Sequence, residues 1–279
     1  MPFPGPPRVA NMAAMEPAEA SETCPLCGGS GWQIENSTGA GVARLCSCRD
    51  EQRAGRRLAA AGIPPRYRDC RLEGFSHHHP DAALRQRLLA ARTVCQRWVD
   101  DFLELDGTPR DGGLLFFGPP GTGKTHLAAA VLAGVIRRYG LGGRFVDCTT
   151  LVHEIQATFD RATAASKSDL LRPLLEAPVL VLDELGAQKP TPWVVDLLYY
   201  LLNSRYTQRL PTLFTTNFAL ELRESDASLD GAPAVWDPES LSSRLPAMLV
   251  SRLYEMARPV DLTGVADFRR TYKMYRHRD

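Results

Sequence analysis

The sequence predicts an α/β fold, a parallel sheet covered by helices on both faces. Three observations carry that reading. Residues 114–117, 179–182 and 212–216 are short apolar or β-branched runs, the composition of strands buried on both faces. Segments with helical periodicity lie between them, the alternation that builds a parallel sheet. After the first run, and before the helix-like run 126–133, comes Gly118-Pro119-Pro120-Gly121-Thr122-Gly123-Lys124-Thr125. That is a G-x-x-x-x-G-K-[ST] pattern with a strand leading in and a helix leading out.

From the beginning of the chain, residues 1–20 are rich in Pro, Ala and Glu and read as a disordered tail, with Met12 and Met15 as further candidate starts. Cys24 and Cys27 follow, then eighteen residues, then Cys46 and Cys48. Two close pairs about fifteen to twenty residues apart have the spacing of a tetrahedral four-thiolate zinc site, although the second pair is C-x-C rather than C-x-x-C. Gly28, Gly29 and Gly31 suit a tight knuckle that aims backbone amides at sulfur. Runs 32–35 and 42–45 bracket Asn36-Ser-Thr-Gly39, which predicts a β-hairpin between the pairs. Four thiolates leave no open coordination position, so the zinc is expected to be structural and to supply the folding free energy that so small a core lacks.

Residues 50–61 read as a charged, alanine-rich helix that Gly62-Ile63-Pro64-Pro65 breaks. The expected division is therefore a tail (1–20), a zinc-binding module with its linker helix (21–61) and a larger α/β domain (62–279). Within that domain, 81–103 is a long helix, 143–148 a strand and 151–159 a helix. Residues 193–206 are apolar nearly all round, which predicts a largely buried helix. Residues 260–262 form a last strand, and the 17 residues after it are too few for a helical lid. Cys70, Cys95 and Cys148 stand singly as core or surface thiols, and His77-His78-His79 before Pro80 are loop histidines.

The glycine-rich segment has the chemistry of a phosphate cradle. Glycines let backbone N–H groups turn inward, and the following helix N-terminus adds partial positive charge. Lys124 would neutralise the β/γ-phosphate oxygens of a nucleotide, and the Thr125 hydroxyl would ligate Mg²⁺. About 60 residues on, the run 179–182 ends in Asp183-Glu184, two carboxylates where open α/β sheets bind ligands. Asp183 suits the Mg²⁺ shell and Glu184 the acceptance of a proton from attacking water. Asn217, at the end of the strand 212–216, can hydrogen-bond that water or the γ-phosphate, or cap the next turn. Arg244 and Arg252 precede the last strand. Each can pair on a helix surface, or reach the γ-phosphate of a neighbouring subunit in a homo-oligomer.

Composition narrows the classes. With 44% hydrophobic residues and a net charge of +1, the chain has the balance of a globular protein. No run approaches the length of a membrane span and the start lacks a signal-peptide pattern, so a cytoplasmic protein with no membrane partner and with reduced thiols is expected. Residues 43–75 carry eight arginines against four carboxylates, and 269–279 carry five basic residues and two tyrosines against one aspartate. Basic residues among aromatics suit single-stranded DNA, and they equally suit solvated helix faces.

The ordered set of motifs resembles a known family. It comprises residues 118–128, Leu182-Asp-Glu-Leu-Gly186, Trp193, Asn203-Ser-Arg-Tyr206, Thr215-Thr-Asn217 and Ser251-Arg-Leu-Tyr-Glu-Met256. It is similar to the replicative helicase loaders of the DnaC/DnaI type and to the IstB transposition ATPases, both P-loop NTPases of the AAA+ class. The resemblance covers about residues 62–270. It implies that residues 118–126, from Gly118 to His126, hold ATP, that Asp183 and Glu184 form the Walker B pair, and that Asn217 is sensor 1. The family pattern has a further arginine where this chain has Met248, so Arg252 is nominated first and Arg244 second as the arginine finger. It also implies a replicative helicase as partner, the cysteine-bearing front resembling loaders whose zinc module docks there. The alternative partner is a transposase.

Overall fold

The computed structural model describes residues 24–28, 30–35, 42–158, 167–188, 190–220 and 240–270. The expected tail at 1–20, the turn at 36–39, the end of the helix at 159 and the basic stretch beyond 270 lie outside the described residues, as does the question of a lid. The chain divides into two compact units, Met1–Arg53 and Ala54–Asp279. Among the described residues no helix is long and apolar enough to cross a membrane.

In the front unit, β1 (Trp32–Glu35) and β2 (Val42–Leu45) form the expected antiparallel hairpin, Trp32 opposite Leu45. The helix α1 (Ser47–Ala60) starts three residues earlier than the charge pattern predicts. The C-x-C pair spans its start, so Cys48 already lies inside the first turn. The Arg49 guanidinium sits over the Trp32 ring, 5.6 Å from its centroid.

The second half of α1 lies past Arg53, in the larger unit, and is followed by a 3₁₀ turn, Pro65–Tyr67, and α2 (Ala82–Asp100). Asp81 caps α2, its carboxylate accepting the N–H groups of Ala83 and Leu84 at 2.8 and 3.0 Å. Then come β3 (Gly113–Phe117), α3 (Lys124–Tyr139), β4 (Arg144–Asp147), α4 (Cys148–Ala157), α5 (Lys167–Glu176) and β5 (Leu180–Asp183). The unit closes with α6 (Pro192–Thr207), β6 (Thr212–Thr216), α7 (Leu241–Arg244), α8 (Ala247–Met256) and β7 (Ala257–Asp261). The five strands pair in the order β4-β5-β6-β3-β7, all parallel.

Strand alternation sorts the core into two layers. Leu114 and Phe116 of β3, Val181 of β5 and Leu213 of β6 face α2 and α3. Leu115, Leu180, Leu182 and Phe214 face the opposite way, against α4, α5, α6 and α8. Both faces are covered, which is why these strands read as continuous apolar runs. Each such buried side chain contributes about 1.5–3 kcal/mol.

Two expectations need correction, and one helix was not expected. Cys148 is the first residue of α4, not the end of a strand, because the Asp147 carboxylate accepts the Thr150 N–H at 2.7 Å and starts the helix there. The helix α5 has no strong sequence signal, since Pro173 interrupts its pattern. The helix α6 is not buried all round, for Tyr200 is 54% exposed. One apolar face is buried, and Arg205, fully buried, anchors the helix beside it. Arg205 donates from Nη1 to the Leu174 and Ala177 carbonyls (2.8 Å each), from Nη2 to Pro211 O (2.7 Å) and from Nε to Thr212 Oγ1 (2.9 Å). It therefore ties α6 to the entries of β5 and β6, and burial alone pushes its pKa down to about 9.

Candidate nucleotide site and metal centre

The glycine-rich loop joins β3 to α3 at the carboxyl end of the sheet. Gly123, at φ +96°, is the N-cap of α3, and no side chain hydrogen-bonds to cap that helix. Its first backbone N–H groups are therefore left to a ligand, as phosphate binding requires. A Cβ on Gly123 would lie 2.7 Å from the Phe75 ring and would also meet a backbone conformation closed to it. The Lys124 ammonium lies inside the loop and donates to Gly118 O at 2.9 Å and Pro119 O at 2.6 Å. Burial pushes its pKa down to about 8 against the opposing pull of Asp183 and Glu184. Thr122 closes the loop, its hydroxyl donating to Pro119 O at 3.0 Å.

The strand β6 lies between β5 and β3, so its tip separates the phosphate loop from Asp183 and Glu184. Thr125 bridges the gap, its hydroxyl donating to Asp183 Oδ1 at 3.0 Å. The sequence pattern thus brings together the two groups suited to a Mg²⁺ shell, a hydroxyl and a carboxylate oxygen. The buried Asp183 has its pKa raised by desolvation, which hydrogen bonds from Thr215 and Thr125 oppose. A divalent cation would offset the cost of keeping that carboxylate charged, and a hydroxyl beside a carboxylate oxygen is a pair of hard donors, so the set fits Mg²⁺. Glu184 is exposed and holds a left-handed backbone at φ +58°, rare for a non-glycine residue. Its N–H is pinned to Thr215 Oγ1 at 2.9 Å, and the next N–H, of Leu185, to Thr215 O at 2.8 Å. Strain of this kind, on a carboxylate at a strand tip, is the pattern of a functional position.

Asn217 follows β6, half-buried, and its side chain makes no hydrogen bond among the described residues. The turn there is capped by Thr216, whose Oγ1 accepts the Phe218 N–H at 3.3 Å. Of the two readings of Asn217, capping is therefore taken by its neighbour. His126 turns away from the loop: Nδ1 lies 3.2 Å from Cys70 Sγ, Nε2 3.3 Å from Arg71 O, and the ring packs on Phe75. Its side chain secures the segment 70–75, leaving its backbone to the helix N-terminus. Arg244 lies over the Phe218 ring at 4.6 Å, and Arg252 sits on α8 against Tyr206 at 4.0 Å.

Two groups at this site escaped the sequence reading. Thr215 Oγ1 donates to Asp183 Oδ1 at 2.5 Å and so orients both carboxylate residues. A threonine one residue from the carboxyl end of a buried central strand was the available signal. The turn after β7 returns to the loop, with the Phe268 N–H donating to Gly121 O at 3.1 Å and Asp267 packed on Gly121. Arg269 and Asp267 both act electrostatically on Lys124.

The front unit gathers its four cysteines. The sulfurs of Cys24, Cys27, Cys46 and Cys48 all lie within 4.8 Å of one another, with Cys24–Cys46 at 3.9 Å and Cys27–Cys48 at 3.5 Å. A Zn–S distance of about 2.3 Å gives tetrahedral S···S edges of about 3.8 Å, so the group fits zinc. The Gly31 N–H points at Cys27 Sγ from 3.3 Å, the amide-to-sulfur contact expected of a knuckle. Burial, and then the neighbouring thiols, push the Cys48 pKa up, a cost that a divalent cation would remove.

Sheet order, phosphate loop and strand-tip carboxylates define a P-loop protein of the AAA+ class. Comparison with known proteins gives the family. The model of the IstB-like ATP binding proteins matches residues 47–232, and the chain belongs to that family. The replicative helicase loader DnaC of Escherichia coli (strain K12) is 27% identical over 193 residues, 68% of this chain and 72% of its own length. The crystal structure of the DnaC helicase loader superposes with a TM-score of 0.53 at 30% identity, covering 71% of this chain and 98% of that one. An ATP-binding protein of insertion sequence IS5376 from Geobacillus stearothermophilus is 31% identical over 128 residues, 46% of this chain and 49% of its own.

Proposed function

We propose that this protein is an ATP-hydrolysing helicase loader that works as a homo-oligomer on single-stranded DNA. The observation that carries the ATPase reading is the bridge from Thr125 to Asp183, which joins the phosphate loop to the strand tip bearing Glu184. The loader reading rests on similarity to the DnaC loader over two-thirds of the chain. The four-cysteine knuckle supports docking on a replicative helicase through the front module (21–61), with the ATPase domain (62–279) as the motor. The IS5376 relative favours a second reading, in which the same ATPase regulates a transposase.

In this scheme Lys124 leaves the Gly118 and Pro119 carbonyls for the β- and γ-phosphates, and the N–H groups at the start of α3 line the same phosphates. Thr125 and Asp183 would hold Mg²⁺, which neutralises charge on the β- and γ-phosphates when bound. Glu184 accepts a proton from the water that attacks the γ-phosphorus, as the bond to the β,γ-bridging oxygen breaks and ADP leaves. Asn217 orients that water. Arg252 reaches the γ-phosphate held by a neighbouring subunit. The test is Glu184→Gln, whose amide cannot take the proton. ATP affinity should stay within about threefold while turnover falls roughly 10²–10⁴-fold. Normal turnover would remove Glu184 from the role.

A further inference from the structure

Two segments quoted for the resemblance, 203–206 on α6 and 251–256 on α8, meet around one guanidinium. Arg252 donates from Nη1 to Glu255 Oε2 at 2.9 Å and from Nη2 to Asn203 Oδ1 at 3.4 Å. Its face lies over the Tyr206 ring, 4.0 Å from the centroid. The Tyr206 hydroxyl donates in turn to Glu255 Oε1, so the carboxylate that holds the arginine is itself held.

We infer that Glu255, Asn203 and Tyr206 are positioning residues that preset Arg252 for a neighbouring subunit's nucleotide, an inference that rests on reading Arg252 as the trans-acting arginine. Stability does not explain the cluster. The Glu255 side chain is 50% exposed, and ion pairs this open to solvent contribute little to folding. Orientation does explain it. A guanidinium has five N–H donors in a fixed plane, and the two bonds to Glu255 and Asn203 set that plane while leaving donors for a phosphate. The Arg252 side chain keeps 21% of its surface open. Arg205, in the same stretch 203–206 and fully buried, spends its donors on backbone and Thr212 and has none of this exposure. A long, flexible side chain that must meet a ligand across an interface gains from such pre-orientation, because misplacement by about an ångström can cost 10²-fold in rate.

The experiment compares turnover of full-length wild type, Arg252→Ala, Glu255→Ala and Glu255→Gln at protein concentrations where the rate per subunit is constant. Glu255→Ala should turn over roughly 10- to 100-fold slower at unchanged KM for ATP. Glu255→Gln keeps an acceptor oxygen for Nη1 and should recover part of the loss. Adding Lys124→Ala protein, whose own site is dead but whose Arg252 cluster is intact, should restore turnover in Glu255→Ala subunits. No restoration would mean that Glu255→Ala has damaged its own site, and the positioning role would be wrong. Wild-type or faster turnover by Glu255→Ala beside an inactive Arg252→Ala would also overturn it, with Arg252 still the trans arginine. Wild-type turnover by Arg252→Ala, or no hydrolysis by wild type, would instead remove the reading beneath it.

Discussion

Lys124 carries the sharpest consequence of burial at the residue scale. Without nucleotide its pKa is pushed down to about 8, and its proton donors are turned onto the loop's own carbonyls. Phosphate oxygens stabilise the charged form, so bound ATP raises that pKa again. Below about pH 8 the free protein is already protonated and binding moves no proton. Above it, binding must take one up, and affinity should fall up to tenfold per pH unit. Calorimetry in two buffers of different ionisation enthalpy reads that uptake directly. An affinity flat between about pH 7 and pH 9, with no proton uptake at the higher value, would show that Lys124 stays charged in the free protein.

At the scale of elements, the sequence was legible where chemistry is local. The phosphate loop, its flanking strand and helix, and the Asp183–Glu184 strand end are contiguous patterns, and their spacing survives in the fold. Thr215 and the 267–269 turn were not legible, because only the strand order and the return of the chain after β7 bring them to the loop. The start of the helix predicted at 151–159 was misplaced for a different reason: the capping carboxylate of Asp147 ends the strand and begins the helix at Cys148. Buried periodicity likewise overstated the burial of α6, which is held by one apolar face (Val194, Leu197, Leu198, Leu201 and Leu202) and by the buried Arg205 rather than by an all-round apolar surface. The cysteine pairs are the opposite case, a spacing that the fold realises as four sulfurs within 4.8 Å. One zinc per chain should be found by elemental analysis and lost in the Cys24→Ser, Cys46→Ser double variant. Chelation should expose residues before Arg53 to protease first, since metal binding supplies the folding free energy of so small a unit. A chain free of stoichiometric zinc would contradict the assignment.

For the whole molecule, the central claim is that the catalytic site is completed between subunits. Each chain brings Lys124, Thr125, Asp183 and Glu184 to one end of its sheet. Among the described residues, the hydrogen-bond and ring partners of Arg252 all lie on α6 and α8, none on its own phosphate loop. The direct test mixes two inactive proteins. Arg252→Ala retains an intact nucleotide site and lacks the trans arginine, whereas Lys124→Ala retains the arginine and lacks the site. Alone, each should lose roughly 10³-fold or more of wild-type hydrolysis. Together, at concentrations that favour assembly, they should recover a substantial fraction of it, more with single-stranded DNA present and less as salt is added. A mixture no more active than its components, under conditions where wild type hydrolyses ATP, would contradict the account.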